Sequence, residues 1–321
     1  MIGGLSMNIS IIGMPLFYGC DKPGVEQGPK ILRENNVIDI FAKKHNVIDL
    51  GDISVPFLDA KKKFLINPKM KYLNEVIECN TSLAELVYLA LNNGTIPFIL
   101  GGDHSLALGS LAGTSKYFND DLAVIWIDAH GDLNTHETSP SGNIHGMPLA
   151  ASIGLGYKSL TSILFNKKKV NPKNIFLLGF LICLSIFLGI NILLGCRDLD
   201  SGEIKLINNL EINMWTIEDI KNKGAEATIE ELLRKINNNH LTNIHLSYDI
   251  DCLDPSYVPG TGTPVNNGLT FEESQILLHG IFGTSHVKCI DFVEYNPTLD
   301  KDNKTKETCI QLINLMSQEL H

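Results

Sequence analysis

Short apolar runs alternate along this chain with longer stretches of helical period. Ile9–Gly13, Val47–Gly51, Ile96–Leu100, Leu122–Ile127 and Ile244–Tyr248 read as strands. Ile96–Leu100 and Leu122–Ile127 are almost continuously apolar, as strands covered on both faces of a parallel sheet are. Between the strands, Leu83, Leu86, Val87, Leu89, Ala90 and Leu91 give Asn80–Leu91 one apolar helical face. Gly28-Pro29 reads as a turn opening a helix, with proline in its first turn. Strands separated by helices suit right-handed βαβ crossovers. With no internal repeat and no proline-rich linker, the pattern predicts one α/β domain over 1–321. Its architecture is a doubly wound parallel sheet with helices on both faces, in three α/β/α layers.

One segment breaks the pattern. Ile175–Cys196 is 22 residues without a charge, long enough to cross a bilayer. Lysines at 167–169 and 173 precede it and Arg197 follows.

The 321 residues, 44% hydrophobic and 19% charged, exclude a disordered chain. The net charge of −10 argues against nucleic acid as partner, because phosphates need a basic face. The seven cysteines include no CxxC pair and read as reduced thiols of a cytoplasmic protein. Cys252 is expected as a small buried filler.

Three strand ends carry acidic and histidine residues. Gly101-Gly102-Asp103-His104-Ser105 follows one, Asp128-Ala129-His130-Gly131-Asp132 the next, and Asp249-Ile250-Asp251 the third. Alternate residues of a strand share a face, so Asp128, His130 and Asp132 converge, and so do Asp249 and Asp251. In open α/β sheets the ligand crevice lies beyond the carboxyl ends of the strands. Four aspartates with no basic residue among them repel unless a cation compensates. Four carboxylates and two imidazoles can hold two metals, about 3.5–4 Å apart, if Asp128 and Asp249 bridge. Oxygen-rich, partly imidazole ligation favours manganese over zinc. Asp103 is expected to fix its own turn, Asp254 before Pro255 to act as a turn or cap residue, and His136 to sit in a solvated loop.

These residues resemble the ureohydrolase family, and within it the arginases. The resemblance rests on GGDHS at 101–105, DAHGD at 128–132 and SYDIDCLDPSYVPGTGTPV at 247–265, with IIGMPLFYGCDKPGVEQGPKILRE at 11–34 as an arginase-like opening. It implies two manganese ions per subunit. One is held by His104, Asp128, Asp132 and Asp249, the other by Asp128, His130, Asp249 and Asp251. It further implies attack of a metal-bridging hydroxide on the guanidinium carbon of L-arginine, giving L-ornithine and urea. Asn134, Ser141 and Asn143 resemble the residues receiving the α-carboxylate, and Asp200 the one reading the α-amino group. Glu294 resembles the carboxylate that pairs with the guanidinium, with Thr263 lining the pocket beside it. His145 resembles the proton shuttle to the departing amine, a task suited to an imidazole titrating near neutrality. His145, Asp132 and Glu294 form the implied catalytic set. The implied assembly is a homotrimer or hexamer, with no nucleic-acid partner.

Relatives such as agmatinases and guanidinobutyrases share the metal motifs. The neutral donors at 134, 141 and 143 separate them, because a substrate lacking the carboxylate leaves those donors unpaired, at about 1–3 kcal/mol per buried group. A second departure concerns the segment after Lys173. The family has one short strand of the form Asn-apolar-Gly there. This chain offers two, Asn174–Gly179 and Asn191–Cys196, which makes 175–190 an atypical apolar insertion. A spanning helix would put the Ser141 loop and Asp200 on opposite sides of a bilayer, so membrane spanning is discounted. The expected strand is 191–196, with 175–190 an exposed apolar excursion. An inactive or membrane-associated homologue is the reading from another class, against which stand six intact metal-ligand positions.

Overall fold

The structure, a computed structural model, describes residues 6–180 and 201–321. Its strands are β1 (Asn8–Met14), β2 (Asn46–Asp52), β3 (Ile96–Gly101), β4 (Ala123–Ile127), β5 (Ile175–Leu178), β6 (Asn213–Trp215), β7 (Ile244–Asp249) and β8 (Val287–Val293). They form one sheet in the order β2-β1-β3-β8-β7-β4-β5-β6. Every pairing is parallel.

Alternation along the strands divides the core. Phe98, Leu100, Ile125, Ile127, Leu246 and Tyr248 point into a cluster closed by residues of the helices Gly28–Glu34, Ala225–Asn238, Phe271–Phe282 and Lys304–Glu319. On the opposite face Ile99 packs beneath Leu73–Asn92, while Val124, Trp126 and Leu177 pack against Ala107–Phe118. Helices on both faces of a parallel sheet are the predicted class. The helix expected over 80–91 runs from Leu73 to Asn92, and Gly28-Pro29 opens Gly28–Glu34 with proline in its first turn.

The strand expected at 191–196 is corrected. Ile175–Leu178 occupies that place, paired Val124↔Ile175 through Ile127↔Leu178 on one side and Phe176↔Asn213 on the other. Ile175–Phe180 are therefore buried rather than an exposed excursion. The two candidates have the same apolar pattern, so periodicity could not separate them. The first is launched by the Asn171-capped turn Pro172–Asn174, which delivers it straight into the open edge of β4. The second candidate, the rest of the apolar stretch from 181 and Asp200 lie outside the described residues. Among the described residues no helix is long and apolar enough to cross a membrane.

The topology positions the site. β8 is the last strand in sequence but lies between β3 and β7, so β3, β8, β7 and β4 are consecutive in the sheet. Their carboxyl ends open side by side. Gly102 lets the end of β3 touch the loop after β1, since a Cβ there would lie 2.0 Å from the Leu16 carbonyl oxygen. Backbone bonds from Gly102 N to Met14 O (2.9 Å) and Asp103 N to Leu16 O (2.8 Å) hold the contact.

Candidate active site

The three strand-end clusters meet. His104 Nδ1 lies 3.0 Å from Asp128 Oδ2, 3.2 Å from Asp132 Oδ2 and 3.2 Å from Asp249 Oδ2. His130 Nδ1 lies 3.2 Å from Asp251 Oδ2 and 3.4 Å from Asp128 Oδ1. Two three-residue groups able to hold an ion result, His104/Asp128/Asp132 and Asp128/His130/Asp251, and they share Asp128.

Local hydrogen bonds aim the ligand atoms. Asp128 accepts from its own loop at His130 N (2.7 Å) and from the Trp126 indole (3.0 Å). Asp249 Oδ1 accepts from Asp251 N (2.8 Å), and Asp251 accepts from Ala129 N (3.3 Å) and the Thr263 hydroxyl (2.8 Å). The Ser247 hydroxyl donates to Asp291 (3.4 Å), so it accepts from His104 Nε2–H (2.8 Å). That tautomer leaves His104 Nδ1 a bare lone pair facing carboxylate oxygens. Neither His104 Nδ1 nor Asp132 Oδ2 has a hydrogen-bond partner although both are buried. Acceptors turned on acceptors in a closed site fit a cation between them.

The titration behaviour points the same way. Burial, then repulsion from neighbouring carboxylates, pushes Asp132 and Asp249 well above the usual carboxylate range. Burial alone would lower the His104 imidazole, but Asp128 and Asp132 outweigh it and lift it to about 9. The cluster attracts positive charge, which a bound cation would supply. A third group, His245, Cys289 and Asp291, lies between the sheet and the helix Ala107–Phe118 and is closed by hydrogen bonds from Ser110 to Asp291 (2.6 Å) and between Thr114 and His245 (3.1 Å).

A cleft of about 570 Å³ opens over the cluster. Glu294 forms its floor, with Oε1 accepting from His104 N (2.8 Å) and lying 3.1 Å from His145 Nδ1. Glu294 and Asp132 both have left-handed backbones, φ 68° and 49°. Such strain in non-glycine residues persists where surrounding structure enforces it, and it clusters at functional sites. Asn134, Ser141, Asn143 and Thr263 line the same cleft.

The sequence profile of the Arginase family matches residues 7–317. The chain belongs to the arginase family. It is 39% identical to the arginase of Bacillus subtilis (strain 168) over 310 residues, 96% of this chain and 97% of that one. It resembles the solved structure of Bacillus caldovelox arginase at 38% identity with a TM-score of 0.85, covering 98% of each chain. It also resembles Entamoeba histolytica arginase in complex with L-ornithine, at 33% identity and a TM-score of 0.85, covering 97% of this chain and 99% of that one. The family is one of metalloenzymes, and the His104 and His130 groups are the candidate metal ligands here.

Several residues near the candidate metal ligands take supporting places. Asp103 caps its turn at Ser105 N (3.0 Å) and accepts Gly19 N (2.8 Å) from the N-terminal loop. Asp254 accepts from Ser256 N (2.9 Å) and Asn267 N (2.8 Å), a turn residue. Cys252 is buried, and burial pushes its thiol up, as a filler requires. His136 is only partly exposed, its ring edge-on to Tyr157 at 5.2 Å. Sequence reasoning missed Glu203, which lines the cleft and accepts from Leu133 N (3.1 Å). It also missed Lys22, whose ammonium donates to Gly262 O (2.8 Å) across the cleft mouth. Glu203 lies outside the quoted motifs and Lys22 within the 11–34 opening carries no cue to the cleft, so only the fold brings them there.

Proposed function

We propose that this protein hydrolyses L-arginine to L-ornithine and urea with two manganese ions per subunit. The observation that carries the reading is the convergence of His104, Asp128, Asp132, His130, Asp249 and Asp251 beneath a cleft floored by Glu294. When bound, manganese supplies hydroxide at neutral pH by lowering the pKa of water. The chain's own residues do the rest. Glu294 pairs with the substrate guanidinium and sets the guanidinium carbon over the metal ligands. Asn134, Ser141 and Asn143 donate to the α-carboxylate, through charge-assisted bonds that neutral donors provide. Asp200 reads the α-amino group. Thr263, bonded to Asp251, holds the wall beside Glu294. His145 gives the proton to the departing amine. Burial lowers its pKa, but its bond to Glu294 outweighs that and raises it, which favours the protonated form that the donor role requires.

Residues 1–321 are read as one ureohydrolase domain. The described cysteines, all free thiols, support a cytoplasmic setting. The family resemblance supports a homotrimer or hexamer. The deciding experiment is urea release from L-arginine and from agmatine, with and without added manganese. Manganese-dependent release from arginine alone is expected. Preference for agmatine overturns the substrate assignment, and activity indifferent to metal overturns the metal centre.

A further inference from the structure

The segment before the helix Leu73–Asn92 packs on the loop that holds Asn143. Lys71 N donates to Gly142 O (3.0 Å), and Gly142 has φ 70°, the left-handed backbone that lets the chain turn under Lys69. The Lys71 ammonium then reaches the Asn143 side chain itself, donating to Oδ1 at 2.7 Å. Asn143 Nδ2 donates to Cys20 O at 2.9 Å. An ammonium can only donate and a carbonyl oxygen only accept, so these two bonds fix the amide in one orientation. One Nδ2 hydrogen is left, and Asn143 lines the cleft.

The charge behind this amide is unbalanced. Lys71 lies 2.9 Å from Asp21 Oδ2, and Lys63 lies 2.7 Å from the same oxygen. Tyr72 OH donates to Asp21 Oδ1 at 3.2 Å. Burial would raise the Asp21 carboxyl, but Lys63 and Lys71 outweigh it and hold it ionised. Two ammonium groups thus face one carboxylate. An anionic substrate group therefore meets a positive surplus on this side of the cleft. Lys22 supplies charge at the mouth, committed to Gly262 O.

We propose that Lys71 is a specificity-determining positioning residue. It locks and polarises the Asn143 amide so that Nδ2–H meets the α-carboxylate, and its charge favours a carboxylate-bearing substrate over a decarboxylated one. This rests on the reading that the 134–143 loop receives the α-carboxylate.

The test uses the full-length manganese-loaded protein and the variants K71M, K71R and N143A. L-Arginine is the substrate, and agmatine is measured as substrate or as competitive inhibitor. K71M is expected to raise the KM for arginine about tenfold with kcat within about twofold, the loss of one charge-assisted contact in binding. Agmatine binding stays unchanged, and K71R restores most of the arginine KM. A merely structural role would move both compounds together. If N143A weakens arginine and agmatine equally, the carboxylate loop itself is wrong. If N143A is selective for arginine while K71M leaves the arginine KM unchanged or weakens both compounds alike, the loop stands and the role of Lys71 is refuted. Should K71M not fold, K71Q takes its place, keeping a donor for Asn143 Oδ1 without the charge: the arginine KM must rise while agmatine binding stays unchanged. An arginine KM unchanged in K71Q overturns the proposal.

Discussion

Glu294→Gln isolates the carboxylate at the floor of the cleft. Glu294 is 1% exposed, so solvent does not screen its interactions. Oε1 is occupied by His104 N at 2.8 Å and His145 Nδ1 at 3.1 Å. Glutamine keeps the volume and can keep an oxygen against those two groups. The difference falls on the other arm, where Oε2 looks toward Gly262 and the cleft. There glutamine places an NH2 group before a guanidinium, which has only donors of its own. A hydrogen bond to a charged group contributes about 1.5–3 kcal/mol. For a buried carboxylate–guanidinium pair the upper end applies, and about 3 kcal/mol is a loss of roughly 10² in kcat/KM. The assay is urea release at limiting arginine, with bound manganese and melting temperature measured on the same samples. Activity within about threefold of wild type at full metal loading would refute the pairing, because uniform contacts elsewhere would then account for arginine binding. Loss of activity together with loss of metal would instead place Glu294 in support of His104, whose backbone it accepts.

Two further outcomes follow from the buried charges. Chelation of the metal should abolish urea release and lower the melting temperature, because Asp132 and Asp249 are then left facing other carboxylates without a cation; manganese should restore both. A metal-free protein with unchanged melting temperature would contradict the compensation argument. The pair His245–Asp291, 2.9 Å apart and fully buried, should give stability its own pH dependence. Burial lowers the imidazole, but Asp291 outweighs it and lifts it from 6.5 to about 10 in the folded state. A raised folded pKa contributes stability that is complete below the unfolded value and disappears as pH climbs through the folded one. The unfolding free energy of wild type minus that of His245→Gln should therefore shrink between about pH 6.5 and 10, and a pH-independent difference would refute it.

The chemistry of this protein was legible in its sequence to an unusual depth. Nearly continuous apolar runs marked Ile96–Leu100 and Leu122–Ile127 as covered strands, a local consequence of backbone geometry that residue spacing records directly. The motif put Asp128, His130 and Asp132 at one strand end, but strand alternation is not what joins them: β4 stops at Ile127 and the chain then bends, with Asp132 left-handed at φ 49°. The pattern was silent wherever two segments had equal local claims. Ile175–Leu178 and the apolar run at 191–196 are alike by composition, and the choice between them depends on which reaches the edge of β4. Sequence order also hid the neighbours of Glu294. β8 inserts between β3 and β7, and that placement brings Glu294 against His104 from 190 positions away. The same holds for Lys71, whose ammonium meets Asn143 only because the 63–72 segment folds over the loop. Residue types and their spacing determined which groups could bind metal. Long-range packing, which no local window contains, decided which charges stand beside them.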